Sequence, residues 1–189
     1  MRVISGEFGS RPLQAVPGQN TRPTTDKIKE GMFNLLGGYF DGGICLDFYA
    51  GSGALAIEAV SRGMDRAVLT EKYRPAINTI EKNLAMTKQE AKFDLLIGQN
   101  RSALASYIQQ HPTCQFDLVF LDPPYKNQQI INDIDWLNNL GVLSSTCRIL
   151  CETDAQTNLE DSFDGWTKVK FKVYGQTNVH LYERVNENE

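Results

Sequence analysis

From residue 43 onward, short apolar runs alternate with segments in which apolar side chains recur every three or four positions. GICLDF (43–48), RAVLTE (66–71), FDLLIG (93–98), FDLVFLD (116–122) and RILCET (148–153) read as strands. Between them, GALAIEAVSR (53–62), PAINTIEKNLAM (75–86), RSALASYIQQ (101–110) and NQQIINDIDWLNNL (127–140) read as helices. The punctuation agrees: Gly63 follows the first of these helices, Pro75 opens the second, and His111-Pro112 ends the third. Two runs with a period of two close the chain, TKVKFKVYG (167–175) and TNVHLYER (177–184), turning at Gly175-Gln176. At the head, RVISGEF and RPLQAV flank Gly9-Ser10 as a predicted hairpin. A helix follows, with Ile28, Met32, Leu35, Leu36 and Tyr39 at helical spacing and Thr24 or Thr25 able to cap it.

Strand–helix alternation specifies an α/β fold. Its sheet is mostly parallel, helices cover both faces, and the closing hairpin adds antiparallel strands at one side. A chain of 189 residues without repeat, linker or low-complexity run predicts one domain over 1–189. Within it, residues 1–40 form a hairpin-and-helix extension and 41–189 the core. In such sheets ligands bind beyond the carboxyl ends of the strands, where the strand order reverses. The residues at those ends are therefore the candidates for chemistry.

Composition removes several classes. With 41% hydrophobic residues a chain of this length can build a core without disulfide or metal staples. No run approaches the ~20 apolar residues of a membrane span, and the first residues lack a signal-peptide core, so a cytoplasmic location is expected. Cys45, Cys114, Cys147 and Cys151 show no metal-knuckle or redox spacing and read as reduced thiols. His111 and His180 have no partner by spacing, so neither a metal nor histidine catalysis is expected. The net charge of −4 argues against a generic nucleic-acid binder, but its distribution is uneven. The first 25 residues carry Arg2, Arg11 and Arg22 against Glu7 alone. Lys168, Lys170 and Lys172 alternate and should share one strand face, either as a solvated face or as a surface for an anionic substrate.

The first core strand ends LDFYAGSGALA. Gly51 and Gly53 permit a tight turn at a helix start, and Glu71 lies at the end of the next strand. This pattern also meets a relaxed dinucleotide fingerprint, so a nicotinamide oxidoreductase is a rival reading. Asp47 opposes it. A carboxylate just before the glycines repels a pyrophosphate and attracts a cationic ligand such as S-adenosylmethionine, unless it merely caps the turn. Asn100, at the end of the third strand, has the donors and acceptors to meet an adenine edge, and equally those of a helix N-cap.

The fourth strand ends FLDPPYKN (120–127). An exocyclic amine on a base is a poor nucleophile until its lone pair is held toward a methyl donor. Asp122 supplies an acceptor and a proton sink, the Pro123-Pro124 corner aims a backbone carbonyl, and Tyr125 offers a ring for stacking. Stacking needs only the ring, so Tyr125→Ala should reduce RNA turnover more than Tyr125→Phe.

LDFYAGSGALAIEA, TEKY and FLDPPY, in that order, resemble the Rossmann-like S-adenosylmethionine-dependent methyltransferases that act on exocyclic amines. The head, RVISGEFGSRPLQAVPGQNTRPTTDKIKEGMFNLL, and the tail, KVYGQTNVHLYER, are similar to the bacterial ribosomal RNA small subunit methyltransferase D family. The resemblance implies a seven-stranded methyltransferase sheet with an N-terminal hairpin and helix, and methylation of the N2 amine of one guanine in 16S ribosomal RNA. An adenine-N6 methyltransferase is the alternative, since Asp-Pro-Pro-Tyr alone does not separate the two bases. The resemblance further implies that Asp47, Tyr49, Gly51, Gly53, Glu71, Lys72 and Asn100 hold S-adenosylmethionine, and that Asp122, Pro123, Pro124 and Tyr125 hold the guanine. Arg11, Arg22, Thr24, Lys126, Lys168, Lys170 and Lys172 are the RNA-contact candidates. The expected partner of this monomer is small-subunit ribosomal RNA or an assembling subunit, with no membrane and no metal.

Overall fold

The computed structural model describes residues 1–18 and 24–185, so the expectation for Arg22 lies outside the described residues. The alternating pattern closes into one eight-stranded sheet of order β3-β2-β1-β4-β5-β8-β7-β6. Its strands are β1 (Ile44–Asp47), β2 (Arg66–Glu71), β3 (Phe93–Ile97), β4 (Phe116–Leu121), β5 (Leu143–Asp154), β6 (Ser162–Phe163), β7 (Trp166–Tyr174) and β8 (Thr177–Arg184). β1 to β5 pair in parallel, and β8, β7 and β6 follow antiparallel. The added strand relative to the seven implied by resemblance is the two-residue β6.

Five α-helices are described: α1 (Asp26–Leu35), α2 (Ala54–Ser61), α3 (Arg74–Thr87), α4 (Asn100–Gln110) and α5 (Ile130–Leu140). Successive strand residues point to opposite faces, and the core divides accordingly. Cys45, Leu118, Phe120 and Leu150 pack with α1, α2 and α3, whereas Leu46, Val119, Leu121, Ile149 and Cys151 pack with α4 and α5. The buried thiols sit where the apolar runs put them, and burial pushes the pKa of Cys147 up to about 12.

The head departs from expectation. Its hairpin narrows to a single antiparallel bridge, Arg2 with Pro12. The amides of Ile4 and Ser5 donate instead to the Glu58 carboxylate at 2.8 and 3.1 Å, and Glu7 N donates to Ser61 O at 2.8 Å. Gly6 lies so close to α2 that a Cβ there would stand 1.9 Å from the Ser61 carbonyl. Glu58 also pairs with the wholly buried Lys29 of α1 at 3.2 Å and with Arg62 at 2.9 Å. One buried carboxylate thereby joins head, α1 and α2. Thr25, rather than Thr24, caps α1 by accepting from Ile28 N.

The three alternating lysines do not share a face. β7 shifts register between Lys168, opposite Tyr182, and Lys170, opposite Leu181. This is a bulge, which turns the side chains beyond it to the other face. Lys170 Nζ reaches Leu35 O of α1 at 3.0 Å. Lys168 Nζ lies on the opposite face, 2.9 Å from Leu159 O and 3.4 Å from Asp161.

Candidate active site

The strand order reverses between β1 and β4. β2 and β3 lie to one side of that pair, and β5 and β8 to the other. Asp47 ends β1 opposite Phe120 of β4, which puts Asp47 and the Asp122 corner at neighbouring strand ends. Glu71 ends β2 opposite Ile97 of β3. The ends named from the sequence therefore meet on one rim.

The turn after β1 is built by its neighbours. Gly51 (φ +58°) and Gly53 (φ +82°) occupy left-handed backbone, which favours glycine, and a Cβ at Gly51 would meet nothing within 4 Å. Thr70 Oγ1 donates to Phe48 O at 2.8 Å, and the buried Asn83 of α3 donates to Ser52 O at 2.8 Å. Glu71 is held by three amides: Gly51 N at 3.0 Å on one oxygen, Lys72 N at 2.9 Å and Tyr73 N at 3.0 Å on the other. A carboxylate has about four acceptor positions, so Glu71 is aimed and keeps some capacity. Lys72 enters through its backbone, its side chain being exposed.

Asp47 is 1% exposed, and neither carboxylate oxygen makes a hydrogen bond of normal geometry. Burial pushes its pKa up to about 7. The nearby Ala56 amide pulls the other way, and the Glu71 charge adds to the rise. An unsatisfied buried polar group costs about 1–3 kcal/mol, and more when charged. The Ala56 amide offsets only part of that cost, since the pKa stays raised.

Behind the turn lies a polar brace that sequence reasoning missed. Tyr49 Oη donates to Asp133 Oδ2 of α5 at 2.5 Å, and Arg101 of α4 bonds Asp133 Oδ1 at 2.9 Å. Burial and the Asp133 charge hold the Tyr49 phenol well above its ordinary pKa. Arg101 also lies over the Trp136 ring, which stacks on Phe48 at 6.0 Å. An aspartate inside the apolar spacing of 130–140 was the one signal of this brace. The helix cap beside it is Gln99, which accepts from Ser102 N, and not Asn100. Asn100 opens α4 and bonds Phe48 O at 3.3 Å. Ile97, also missed, leaves an apolar side chain 52% exposed beside Glu71.

At the β4 end, Asp122 is half-buried, Pro123 buried, and Tyr125 begins a short 3₁₀ turn that includes the exposed Lys126. The Tyr125 hydroxyl donates to Glu152 Oε1 of β5 at 3.3 Å and lies 3.1 Å from Thr177 Oγ1 of β8. Thr24 lies two residues before α1. Arg11 is elsewhere: its guanidinium bonds Met86 O and Thr87 O at the end of α3, on the opposite rim. A cation suits helix C-terminal carbonyls, and that is where the fold uses Arg11. Lys168 is likewise directed away, to Leu159 O and Asp161.

A sheet of this order with a parallel β1–β5 part, a glycine turn after β1 and an acid at each of three adjacent strand ends define a Rossmann-like methyltransferase fold. The chain belongs to the family described as Conserved hypothetical protein 95, whose model matches residues 1–183. It is 37% identical to the putative rRNA methyltransferase YlbH of Bacillus subtilis, over 97% of this chain and 99% of that one. It is 33% identical to ribosomal RNA small subunit methyltransferase D of Escherichia coli, over 100% of this chain and 92% of that one. The solved structure of the putative methyltransferase yhhF from Escherichia coli superposes with a TM-score of 0.81 at 33% identity, covering 99% of both chains. The family resemblance drawn from head, motifs and tail is borne out.

Proposed function

We propose that this protein transfers a methyl group from S-adenosylmethionine to the N2 amine of a guanine in small-subunit ribosomal RNA. The observation that carries the reading is Asp47: a buried, unsatisfied carboxylate facing a glycine turn at the switch point. A cationic ligand relieves it and a pyrophosphate aggravates it, which favours the sulfonium donor over a nicotinamide dinucleotide. In this reading Asp47 and the Gly51–Gly53 turn take the methionine end, Tyr49 and Lys72 border it, and Glu71 takes the ribose. Asn100 and Ile97 meet the adenine.

The donor supplies an electrophilic methyl group. The residues of the chain do the rest. Asp122 and the carbonyl aimed by Pro123-Pro124 accept the two amine hydrogens and turn the lone pair toward the methyl carbon. Tyr125 stacks on the base. As the nitrogen–carbon bond forms, the sulfur–carbon bond breaks, and the surplus proton on nitrogen passes to Asp122 or water. Support for ribosomal RNA as acceptor comes from the relatives named as rRNA methyltransferases.

The test is methyl transfer from labelled S-adenosylmethionine to small subunits from cells lacking this protein, with the label mapped by nucleotide analysis. Label on guanine N2 is expected. Label on adenine N6, or protection against heat by NAD and none by S-adenosylhomocysteine, would overturn the reading.

A further inference from the structure

We infer that the groove between α1 and β7 is a track for the phosphate backbone of the RNA, leading it to the Asp122–Tyr125 corner. The inference rests on the RNA-methylating reading above and names a surface for it. The groove encloses about 380 Å³ and is lined by Lys27 and Glu30 of α1 and by Lys170, Lys172 and Tyr174 of β7. Its floor depends on Gly31: a Cβ there would stand 2.2 Å from the Tyr174 hydroxyl. The absent side chain lets the Tyr174 ring lie against α1, and any larger residue at 31 would have to displace that ring.

Direction follows from two contacts. Gly31 meets Tyr174, and Leu35 meets Lys170, so α1 runs antiparallel to β7 with its N-terminal end toward the site rim. Tyr174 pairs with Thr177, whose hydroxyl reaches Tyr125. The groove thus opens within one strand pair of the corner where a base must be presented. β6 pairs only with Trp166 and Thr167, which leaves the rest of the outer edge of β7 uncovered by any described strand.

Charge selects the occupant. Three lysines face one glutamate here, on a chain of net charge −4. Among the described residues none of the three lysines forms an ion pair, whereas Lys168 on the other face is paired with Asp161. Lys170 spends one donor on Leu35 O and Lys172 lies over the Tyr174 ring, but an ammonium has three donors and neither charge is neutralised by a carboxylate. Unpaired lysines along a groove neutralise phosphates and release counterions, which gives affinity without base readout. The site beyond requires a nucleotide, so a polyanion threaded past Lys170, Lys172 and Lys27 serves both ends. Lys27 thereby joins the RNA-contact set in place of Lys168.

The test compares wild-type protein with the triple variant Lys27→Gln, Lys170→Gln, Lys172→Gln, on a small-subunit ribosomal RNA fragment across a salt series. RNA affinity should fall at least tenfold, and the salt slope should flatten by about 0.7–0.9 log units for each phosphate no longer neutralised. Donor affinity should not change, and the melting temperature should fall by at most a few degrees, for the lost Lys170–Leu35 hydrogen bond. The corresponding triple arginine variant should restore binding, and Lys82→Gln, on the exposed side of α3, should bind as wild type. An unchanged affinity and slope in the glutamine variant would overturn the inference. So would normal binding to naked RNA with loss only on assembled particles, which would mark the groove as a dock for an acidic protein. Binding is read without methyl transfer, so failure of the groove and failure of the guanine assignment are separate results.

Discussion

The phenol oxygen of Tyr125 stands 3.1 Å from Thr177 Oγ1 and ties the turn after β4 to the first residue of β8. A second bond, to Glu152 Oε1 at 3.3 Å, ties it to β5. The ring that the proposed function assigns to the base is therefore tethered at its far end. A ring that must stack in one orientation gains from being fixed before the base arrives. Sequence reasoning finds a use for the ring but none for the hydroxyl, which these two bonds supply. Tyr125→Phe and Thr177→Val should each lower kcat/KM for RNA by roughly 2- to 10-fold, the range of one net hydrogen bond. Tyr125→Ala should lose a further stacking contribution of about 1–3 kcal/mol. Donor affinity should hold in all three. A Tyr125→Phe protein with unaltered RNA kinetics would return the tether to a purely structural role.

The elevated pKa of Asp47 makes donor binding pH-dependent. A cationic ligand needs the charged carboxylate, and in the free protein that form is the minor one below about pH 7. Affinity for S-adenosylhomocysteine, which keeps the ammonium, should rise roughly tenfold between pH 6 and 7.5 in titration calorimetry. Asp47→Asn should bind at least tenfold more weakly at the upper pH and lose the dependence. Binding that is flat with pH in the wild type would show that Asp47 is charged throughout.

The same shift has a stability consequence opposed by a second group. His180 is wholly buried with Nε2 bonded to Thr153 Oγ1, and burial lowers its pKa to about 4. Asp47 is raised from its ordinary value, so its contribution is complete at low pH and is lost as pH rises toward 7. His180 is lowered, so its contribution is present above about 6.5 and is lost as pH falls toward 4. Across pH 4 to 6.5 the two slopes cancel, each being at most about 1.4 kcal/mol per pH unit. In denaturant melts Asp47→Asn should therefore lose stability on acidification more steeply than wild type. His180→Asn should do the reverse. Parallel profiles for all three proteins would refute the pairing.

What was legible in the sequence, and what was not, divides by distance along the chain. Strand ends and helix starts are local, and periodicity places Asp47, Gly51, Glu71 and Asp122 on one rim without knowledge of any partner. Glu152 and Thr177 are 27 and 52 residues from Tyr125, and Asp133 is 84 from Tyr49, so those braces exist only once the sheet is assembled. The bulge at Val169 is hidden for another reason. The alternation from Lys168 to Lys172 stays regular in the sequence while the pairing slips by one, and a slip turns the side chains over. Glu58, set among the alanines of α2, was a visible oddity whose partners were not: Lys29 and the head amides come from elsewhere in the chain.

That buried carboxylate should dominate stability. Glu58 holds Lys29, Arg62 and the amides of Ile4 and Ser5 at once. Glu58→Gln strands a buried ammonium and should cost about 3–5 kcal/mol in urea melts. Lys29→Met leaves Glu58 its guanidinium and both amides and should cost less. Equal losses would mean that the Lys29 pair alone carries the effect.

Asp122 is the test of the chemistry itself. Orientation of an amine requires an acceptor, and removal of its proton requires a base; a carboxylate does both, and an amide only the first. If orientation sets the rate, Asp122→Asn should retain most of it and Asp122→Ala should lose it. If proton acceptance sets it, both should fall by about 10²–10⁴-fold. The nitrogen becomes strongly acidic only once methylated, when water is also able to take its proton. The expected order is therefore wild type, then asparagine with an intermediate loss, then alanine with the largest. Single-turnover methyl transfer at saturating donor isolates this step from product release. Binding of S-adenosylhomocysteine should be the same in all three, since Asp47 and Glu71, not Asp122, are assigned to the donor. An Asp122→Ala protein with an undiminished single-turnover rate would reduce the Asp-Pro-Pro-Tyr corner to a turn and move the chemistry elsewhere on the rim.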